Sequence, residues 1–255
     1  MAKVDSLHTP IKRLCNVLTI MKNQNITIAE HLAIIQGDKA KAGDPIFRNI
    51  AYGELSQLVR DARDQILSYE NADERLHIGP IKRVENVIGN LGPTASVQDF
   101  FSNIGNDTIL SLEHCVHLFQ NADDEKLIPT DELANLLEAV NDLIEEVAHA
   151  EIPQYLKELL SEQLYGIHKA ITAYRISGAR GIKRALDQSL GALIFNQERI
   201  RHEAGEDKEN NSWRLVKKFS AFLLEGNKIV SLAFNVQKIY QLVHDIWGSG
   251  QLPGH

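Results

Sequence analysis

Residues 130–149 read TDELANLLEAVNDLIEEVAH, and this stretch decides the fold class. Its apolar side chains recur at steps of three and four residues, a spacing that places them on one face of an α-helix. The acidic first turn at Asp131 and Glu132 suits the positive end of the helix dipole. The stretch therefore predicts an amphipathic helix whose buried face consists of Leu133, Leu136, Leu137, Val140, Leu143, Ile144 and Val147.

The same periodicity extends outward along nearly the whole chain, and no stretch shows the strict alternation that is typical of a strand. The next segment begins with Pro153, which suits a first helical turn, and we expect it to form an antiparallel hairpin with the helix before it. The sequence thus predicts an all-α protein without a sheet, either a multi-helix bundle or a short helical solenoid. About ten helices are expected, at roughly 10–23, 28–36, 46–69, 80–90, 97–104, 108–121, 131–150, 153–176, 179–198 and 212–247.

The composition is that of an ordinary globular protein. Of the 255 residues, 44% are hydrophobic and 24% are charged, and the net charge is −7. This acidic balance argues against a protein that coats nucleic acid by neutralising its phosphates, so nucleic-acid binding is possible but not favoured. Cys15 and Cys115 have no CxxC partner and are expected to be reduced core thiols. We find no secretory signal and no apolar run long enough for a transmembrane segment, so a cytoplasmic location is expected.

A motif in the first half of the chain occurs twice. Residues 10–17 read PIKRLCNV and residues 80–87 read PIKRVENV, so the two copies are identical at six of eight positions. A capped short helix and then a longer one are predicted after each copy, as a duplicated three-helix unit covering 10–69 and 80–121 would produce. Two similar helix starts that arose by chance are the alternative.

The composition also divides the chain into four regions. Residues 1–125 are predicted as an N-terminal helical region, and residues 126–200 as the hairpin, a glycine-rich corner and the following helix. Residues 201–211 are polar throughout and predict an exposed, charged linker. Residues 212–255 are predicted as a long, amphipathic C-terminal helix.

The glycine-rich corner, residues 174–186, reads YRISGARGIKRAL. Gly178 is predicted to take a positive φ and to separate two helices, and a continuous helix with small residues every four positions is the alternative. Basic side chains beside glycine amides form a candidate site for an anion, an acidic partner or nucleic acid. A solvated basic face paired with neighbouring carboxylates is the other interpretation. The basic residues concerned are Arg175, Arg180, Lys183 and Arg184.

The C-terminal helix carries a broad apolar stripe at alternating steps of three and four residues. Its candidate interface residues are Phe222, Ile229, Val236, Tyr240 and Trp247. The stripe is expected either to pack on the chain's own bundle or to bind another protein or a second copy of the chain.

Catalytic motifs are missing from the sequence, which contains no HExxH, no GxSxG, no CxxC pair and no phosphate-binding loop. We therefore expect neither catalytic residues nor a cofactor. A rival hypothesis is a helical metalloenzyme with a di-metal site, because Glu-x-x-His spacings join Glu74 to His77 and Glu146 to His149. Such spacings also arise by chance in a chain rich in glutamate.

The expected function is protein binding rather than catalysis. An acidic helical protein suits a basic partner, and an accessory, regulatory or immunity-type subunit is one such role. The alternatives are the metalloenzyme and local binding of nucleic acid or phosphate at the basic corner.

Overall fold

The computed structural model of this chain describes residues 9–22, 26–37, 39–70, 72–118, 127–207 and 210–230. Over these ranges it contains eleven α-helices and no strand, which confirms the all-α prediction. None of these described helices is both long and apolar enough to span a membrane. The helices are α1 (Pro10–Met21), α2 (Ile28–Ile35), α3 (Pro45–Leu67), α4 (Gly79–Asn90), α5 (Val97–Ile104), α6 (Asn106–Leu118), α7 (Thr130–His149), α8 (Gln154–Thr172), α9 (Tyr174–Phe195), α10 (Gln197–Ala204) and α11 (Asn211–Val230).

The described residues divide into two compact units. Unit 1 contains the helices α1–α6 and also the short segment Ala173–Gly178. Unit 2 contains α7, α8, the part of α9 after Gly178, α10 and α11. The units differ from the regions that composition indicates, because Ala173–Gly178 joins the N-terminal helices and α11 joins the hairpin.

Unit 1 consists of two sets of three helices, α1–α3 and α4–α6, around an apolar core that includes the fully buried Phe100. The predicted caps are present. Glu30 N donates to the Thr27 hydroxyl, and Thr27 N donates to the Glu30 carboxylate at 2.8 Å, which completes a capping box at the start of α2. The Ser96 hydroxyl caps α5 by accepting from Asp99 N at 2.9 Å.

The starts of α2 and α5 are joined through the backbone. Ile28 N donates to Ala95 O, and Val97 N donates to Ile26 O, both at 3.0 Å. Each of these amides lies in a first helical turn, where the helix itself offers no acceptor. Ile28 and Val97 each begin their helix, so the exchange has an approximate two-fold symmetry. A duplication would produce this arrangement, but the duplication itself stays a prediction.

Unit 2 is built on the predicted hairpin of α7 and α8, and α11 packs along α7. Near the end of α7, Glu146 forms an ion pair with Arg214 of α11. Nearer the start of α7, Leu136 lies close to Gly226 of α11, where an added Cβ would be 3.8 Å from a Leu136 methyl carbon. The two helices therefore run in opposite directions.

Gly178 interrupts α9, as the sequence predicts. It has φ +65° and ψ −167°, so the helix consists of two parts, 174–177 and 179–195. The C-terminal helix begins at Asn211, one residue before its predicted start, and its predicted continuation past Val230 lies outside the described residues.

The structure differs from the sequence prediction at the charged linker. Residues 201–204 are not linker but the last turn of α10. Trp213 Nε1 donates to Gly205 O at 2.8 Å, and Asn210 Nδ2 donates to Ala204 O. These side chains satisfy carbonyls at the end of α10 and so extend the helix into a polar stretch.

Candidate functional site

The predicted interface on the C-terminal helix is described only in part. Phe222 is buried and Ile229 is half-buried within unit 2, while Val236, Tyr240 and Trp247 lie outside the described residues. Over Asn211–Val230 the helix packs on its own bundle, which is one of the two interpretations of its apolar stripe. Partner binding by the rest of the stripe stays a prediction.

The four basic residues of the glycine-rich corner are distributed over both units. Arg175 belongs to unit 1, where it donates a hydrogen bond to the end of α2. Arg180, Lys183 and Arg184 belong to unit 2, where Lys183 Nζ binds the carboxylate of Asp187 at 2.5 Å. That pair fits the interpretation of a solvated basic face. Anion or nucleic-acid binding at this corner stays a prediction.

The residues considered for a di-metal site have other partners. Glu74 and His77 belong to unit 1, where Glu74 binds Lys82 at 2.9 Å and His77 Nδ1 accepts a backbone N–H at 2.8 Å. Glu146 and His149 belong to unit 2 and lie in a cleft. In the part of the chain that the structure describes, no group of three or more His, Cys, Asp or Glu side chains is arranged to hold a metal ion.

An open, acidic cleft of about 640 Å³ lies in unit 2 where α7 ends and α11 begins. Most of its acidic side chains come from α7 at helical steps of three and four, on the face opposite the buried Leu143 and Val147. The turn between α7 and α8 adds one more carboxylate. The charged residues of the cleft are Asp142, Glu145, Glu146, His149, Glu151 and Arg214.

One carboxylate of the cleft, Glu146, is neutralised by two cations of α11. Lys218 Nζ binds it at 2.9 Å, and Arg214 donates a further hydrogen bond to it. Burial alone would raise the pKa of Glu146, but the hydrogen bonds and charges of Lys218 and Arg214 outweigh burial and hold the pKa below its ordinary range. Glu146 is therefore ionised at neutral pH, and it holds α11 against α7.

The other three carboxylates give the cleft its negative charge. Asp142, Glu145 and Glu151 are exposed, and none of them forms an ion pair with any residue that the structure describes. The exposed ring of His149 lies beside them, with Nδ1 2.9 Å from Glu145 O. Since these carboxylates have no cation partner among the described residues, the cleft attracts positively charged groups.

An exposed aromatic residue lies at the same end of unit 2 as the cleft. Phe195, the last residue of α9, is 90% exposed. The next residue, Asn196, accepts a hydrogen bond from the Tyr155 hydroxyl at 2.7 Å, and the Arg199 guanidinium lies 3.7 Å from the centre of the Tyr155 ring. Tyr155 follows Glu151 by four residues, so Phe195 and the cleft lie at the same end of unit 2. We call this surface, the cleft carboxylates with Phe195, Tyr155 and Arg199, the acidic end.

The acidic end is not among the sites that the sequence analysis predicts, although the sequence contains part of the pattern that indicates it. Leu186 and Leu193 are seven residues apart on one face of α9, and both are buried. Phe195, two residues further on, falls on the opposite face of the helix. Helical periodicity therefore indicates that Phe195 is exposed, while the apolar run at 193–195 equally suits a core. The sequence analysis considers Glu146 and His149 as metal ligands, whereas the structure places them in a cleft open to solvent.

Comparisons with protein-family models, with curated proteins and with solved structures found no match to this chain. Its function is therefore inferred from the geometry and charge of the acidic end.

Proposed function

We propose that this protein acts by binding a basic protein at the acidic end of unit 2. Two features at this end of unit 2 carry the proposal. Three carboxylates there form no ion pair with any residue that the structure describes, and Phe195 is 90% exposed. An aromatic side chain in water stabilises a complex when a partner covers it, and aromatic residues are common energetic anchors of interfaces. The carboxylates at the same end of unit 2 select a partner that presents lysine or arginine.

The spacing of the carboxylates favours a macromolecule over a small ligand. Asp142 and Glu145 lie on α7, and Glu151 lies on the turn after it. The helix rises roughly 10 Å between Asp142 and its last residue, His149, and Glu151 lies beyond that residue. A single small cation does not reach all three carboxylates at that separation, whereas a basic helix or loop does. The cleft is also open, unlike the enclosed pockets that bury most of a small molecule.

The charge of the whole chain supports the same preference. A net charge of −7 attracts a basic partner during diffusion and speeds association at low salt. The role that fits best is an accessory, regulatory or immunity-type subunit, which binds a basic protein without catalysing a reaction.

Photo-cross-linking in the cells that produce the protein tests the location of the interface. Phe195 is replaced by p-benzoyl-phenylalanine, which reacts on irradiation with whatever lies against it. We expect one main adduct, with a basic protein that mass spectrometry identifies. Tyr165 of α8, an aromatic residue that is 59% exposed, is the matched control and should give no such adduct when replaced in the same way. The same adduct from both positions, or an adduct with an acidic protein, would contradict the proposal.

Charge reversal with the purified partner then tests the carboxylates. The triple variant Asp142→Lys, Glu145→Lys, Glu151→Lys should weaken binding by about 100-fold or more, because three attractive charge interactions become repulsive. A control with the same change in net charge reverses three exposed carboxylates elsewhere, Glu70, Glu113 and Glu162. Equal affinities of the two triple variants would reject the acidic end as the interface.

A further inference from the structure

A short segment, Ala173–Gly178, belongs to unit 1 although the chain on both sides of it belongs to unit 2. We call this segment the plug. Its Ile176 is 0% exposed and lies in the apolar core that α1–α6 form. The plug contains one helical turn, 174–177, between the end of α8 at Thr172 and the break at Gly178. A single turn is not stable alone, so its contacts with unit 1 hold it in shape.

Arg13 of α1 binds the plug by its carbonyl groups. The Arg13 side chain is almost fully buried, and it donates from Nε to Ile176 O at 3.1 Å and from Nη2 to Ser177 O at 3.4 Å. These carbonyls lie at the end of the helical turn, next to the break at Gly178. In return, Arg175 Nη1 donates to Ile35 O, the last carbonyl of α2, at 3.4 Å. The plug therefore lies between Arg13 and the end of α2.

Gly178 makes this close approach possible. Its φ of +65° is in the region that favours glycine, and a Cβ at this position would lie 2.4 Å from Arg13 Cζ. A side chain at residue 178 would strain the backbone and would displace the Arg13 guanidinium from its present position. The close approach therefore depends on the residue types at both positions, Arg13 and Gly178.

The second set of helices shows the corresponding arginine without a plug. Arg83 has the place in the repeated PIKR motif that Arg13 has in the first copy. Its Nη1 binds Asp107 Oδ2 at 3.0 Å and Thr108 Oγ1 at 2.9 Å, both of α6, and it also donates to Ile104 O, at the end of α5, at 3.4 Å. Ile104 corresponds to Ile35, since each is the eighth and last residue of its helix. In the first set, the direct contact would join Arg13 to Ile35 O.

We propose that the plug exchanges between two states, one in which it is inserted in unit 1 and one in which it is released. In the state described here, the plug is inserted and Arg13 binds its carbonyls. In the other state, the plug has left and Arg13 binds Ile35 O directly, as Arg83 binds Ile104 O. The inserted state is favoured because it buries Ile176. Release is accessible because both the guanidinium and the helix-end carbonyl keep a hydrogen bond in either state.

Native-state hydrogen exchange of the unmodified protein tests this proposal. The amides of Ile176 and Ser177 both donate to Ala173 O, so they report on the plug. A two-state plug predicts that these amides exchange about 10-fold faster than those of α1, or faster still, through an opening that leaves α1 and α2 protected. Equal exchange of the plug and α1 at every urea concentration would mean that the plug leaves only on global unfolding, and would overturn the proposal.

A substitution at the exposed Arg175 shifts the balance between the states. Arg175→Gln removes the plug's bond to Ile35 O and leaves that carbonyl available to Arg13, so plug amides should exchange about 5-fold faster still while α1 is unchanged. Arg60→Gln, at an exposed arginine of α3 whose guanidinium binds Gln57 on the same helix, is the matched control and should leave exchange of the plug unaltered. If Arg175→Gln also leaves it unaltered, the second state is rejected.

Discussion

At the scale of single residues, His31 lies on α2 in an environment that disfavours its charged form. The side chain is 1% exposed, and neither ring nitrogen has a hydrogen-bond partner within the described structure. Burial lowers the pKa of His31, because an imidazolium there would lose its hydration without gaining a partner. His31 is therefore neutral in the folded protein at pH 7, and it links folding to pH.

We predict that the free energy of unfolding falls as the solution is acidified below roughly pH 7.5. The unfolded chain binds a proton at His31 near the ordinary histidine pKa of about 6.5, whereas the folded chain binds it only at lower pH. Acid therefore favours unfolding across this window, and the effect levels off below the folded pKa. His31→Leu should remove this part of the pH dependence and stabilise the protein by about 1 kcal/mol, because an unpaired buried polar group is gone.

Urea unfolding at a series of pH values measures both effects. His202→Leu, at an exposed position of α10, is the control and should preserve the pH dependence of the wild type. If the His31→Leu protein keeps the wild-type slope, burial does not hold His31 in its neutral form.

At the scale of elements, the short helix α2 depends on its capping box. Thr27→Ala leaves Glu30 N without its side-chain acceptor, and α2 has only eight residues over which to absorb the loss. We predict a fall of about 1 kcal/mol in the free energy of unfolding, within a range of about 0.5–2 kcal/mol. Urea unfolding followed by circular dichroism measures this change.

Ser102 provides the control for that experiment. Its hydroxyl donates to Gln98 O one turn back within α5, so it is bonded but caps nothing. Ser102→Ala should leave the free energy of unfolding within about 0.5 kcal/mol of the wild type. Equal losses in the two variants would mean that the Thr27 cap contributes nothing specific.

Most helix starts could be predicted because the forces that set them are local. Thr9, Thr27 and Ser96 each accept a hydrogen bond from an amide three residues further on, so the signal lies within one turn of sequence. The extent of α10 could not be predicted in this way. Its last turn is polar, and Asn210 and Trp213, from beyond the helix, satisfy its end.

At the scale of the whole molecule, the sequence predicts the fold class better than it predicts the site. Periodicity alone indicates that Asp142 and Glu145 face solvent on α7. Their association with Phe195 depends on the Tyr155 hydroxyl bonding to Asn196, 41 residues further along the chain. The same limit applies to the glycine-rich corner. The sequence predicts the break at Gly178, but it does not predict that the helical turn before the break packs in unit 1.

The reactivity of the two cysteines tests whether reagents in solution can reach the core of unit 1. Cys15 and Cys115 are both buried in its core, and burial raises the pKa of Cys15 to about 12 and that of Cys115 to about 11. Because the thiolate is the reactive form, we predict that neither thiol reacts with Ellman's reagent in the folded protein at a mildly alkaline pH, and that both react in urea. Ser102→Cys, at an exposed position, should add one fast-reacting thiol. Prompt reaction of the native thiols would show that the core opens locally.

The backbone exchange between the starts of α2 and α5 makes each set of three helices incomplete by itself. Ile28 N and Val97 N find their acceptors only on the opposite set. Fragments separated between α3 and α4 should therefore complement each other rather than fold alone. A shorter polypeptide with a single set of three helices would need a second copy of itself to supply the missing carbonyl acceptors. The contact between the two sets therefore resembles the interface of a symmetric homodimer, with both halves in one chain.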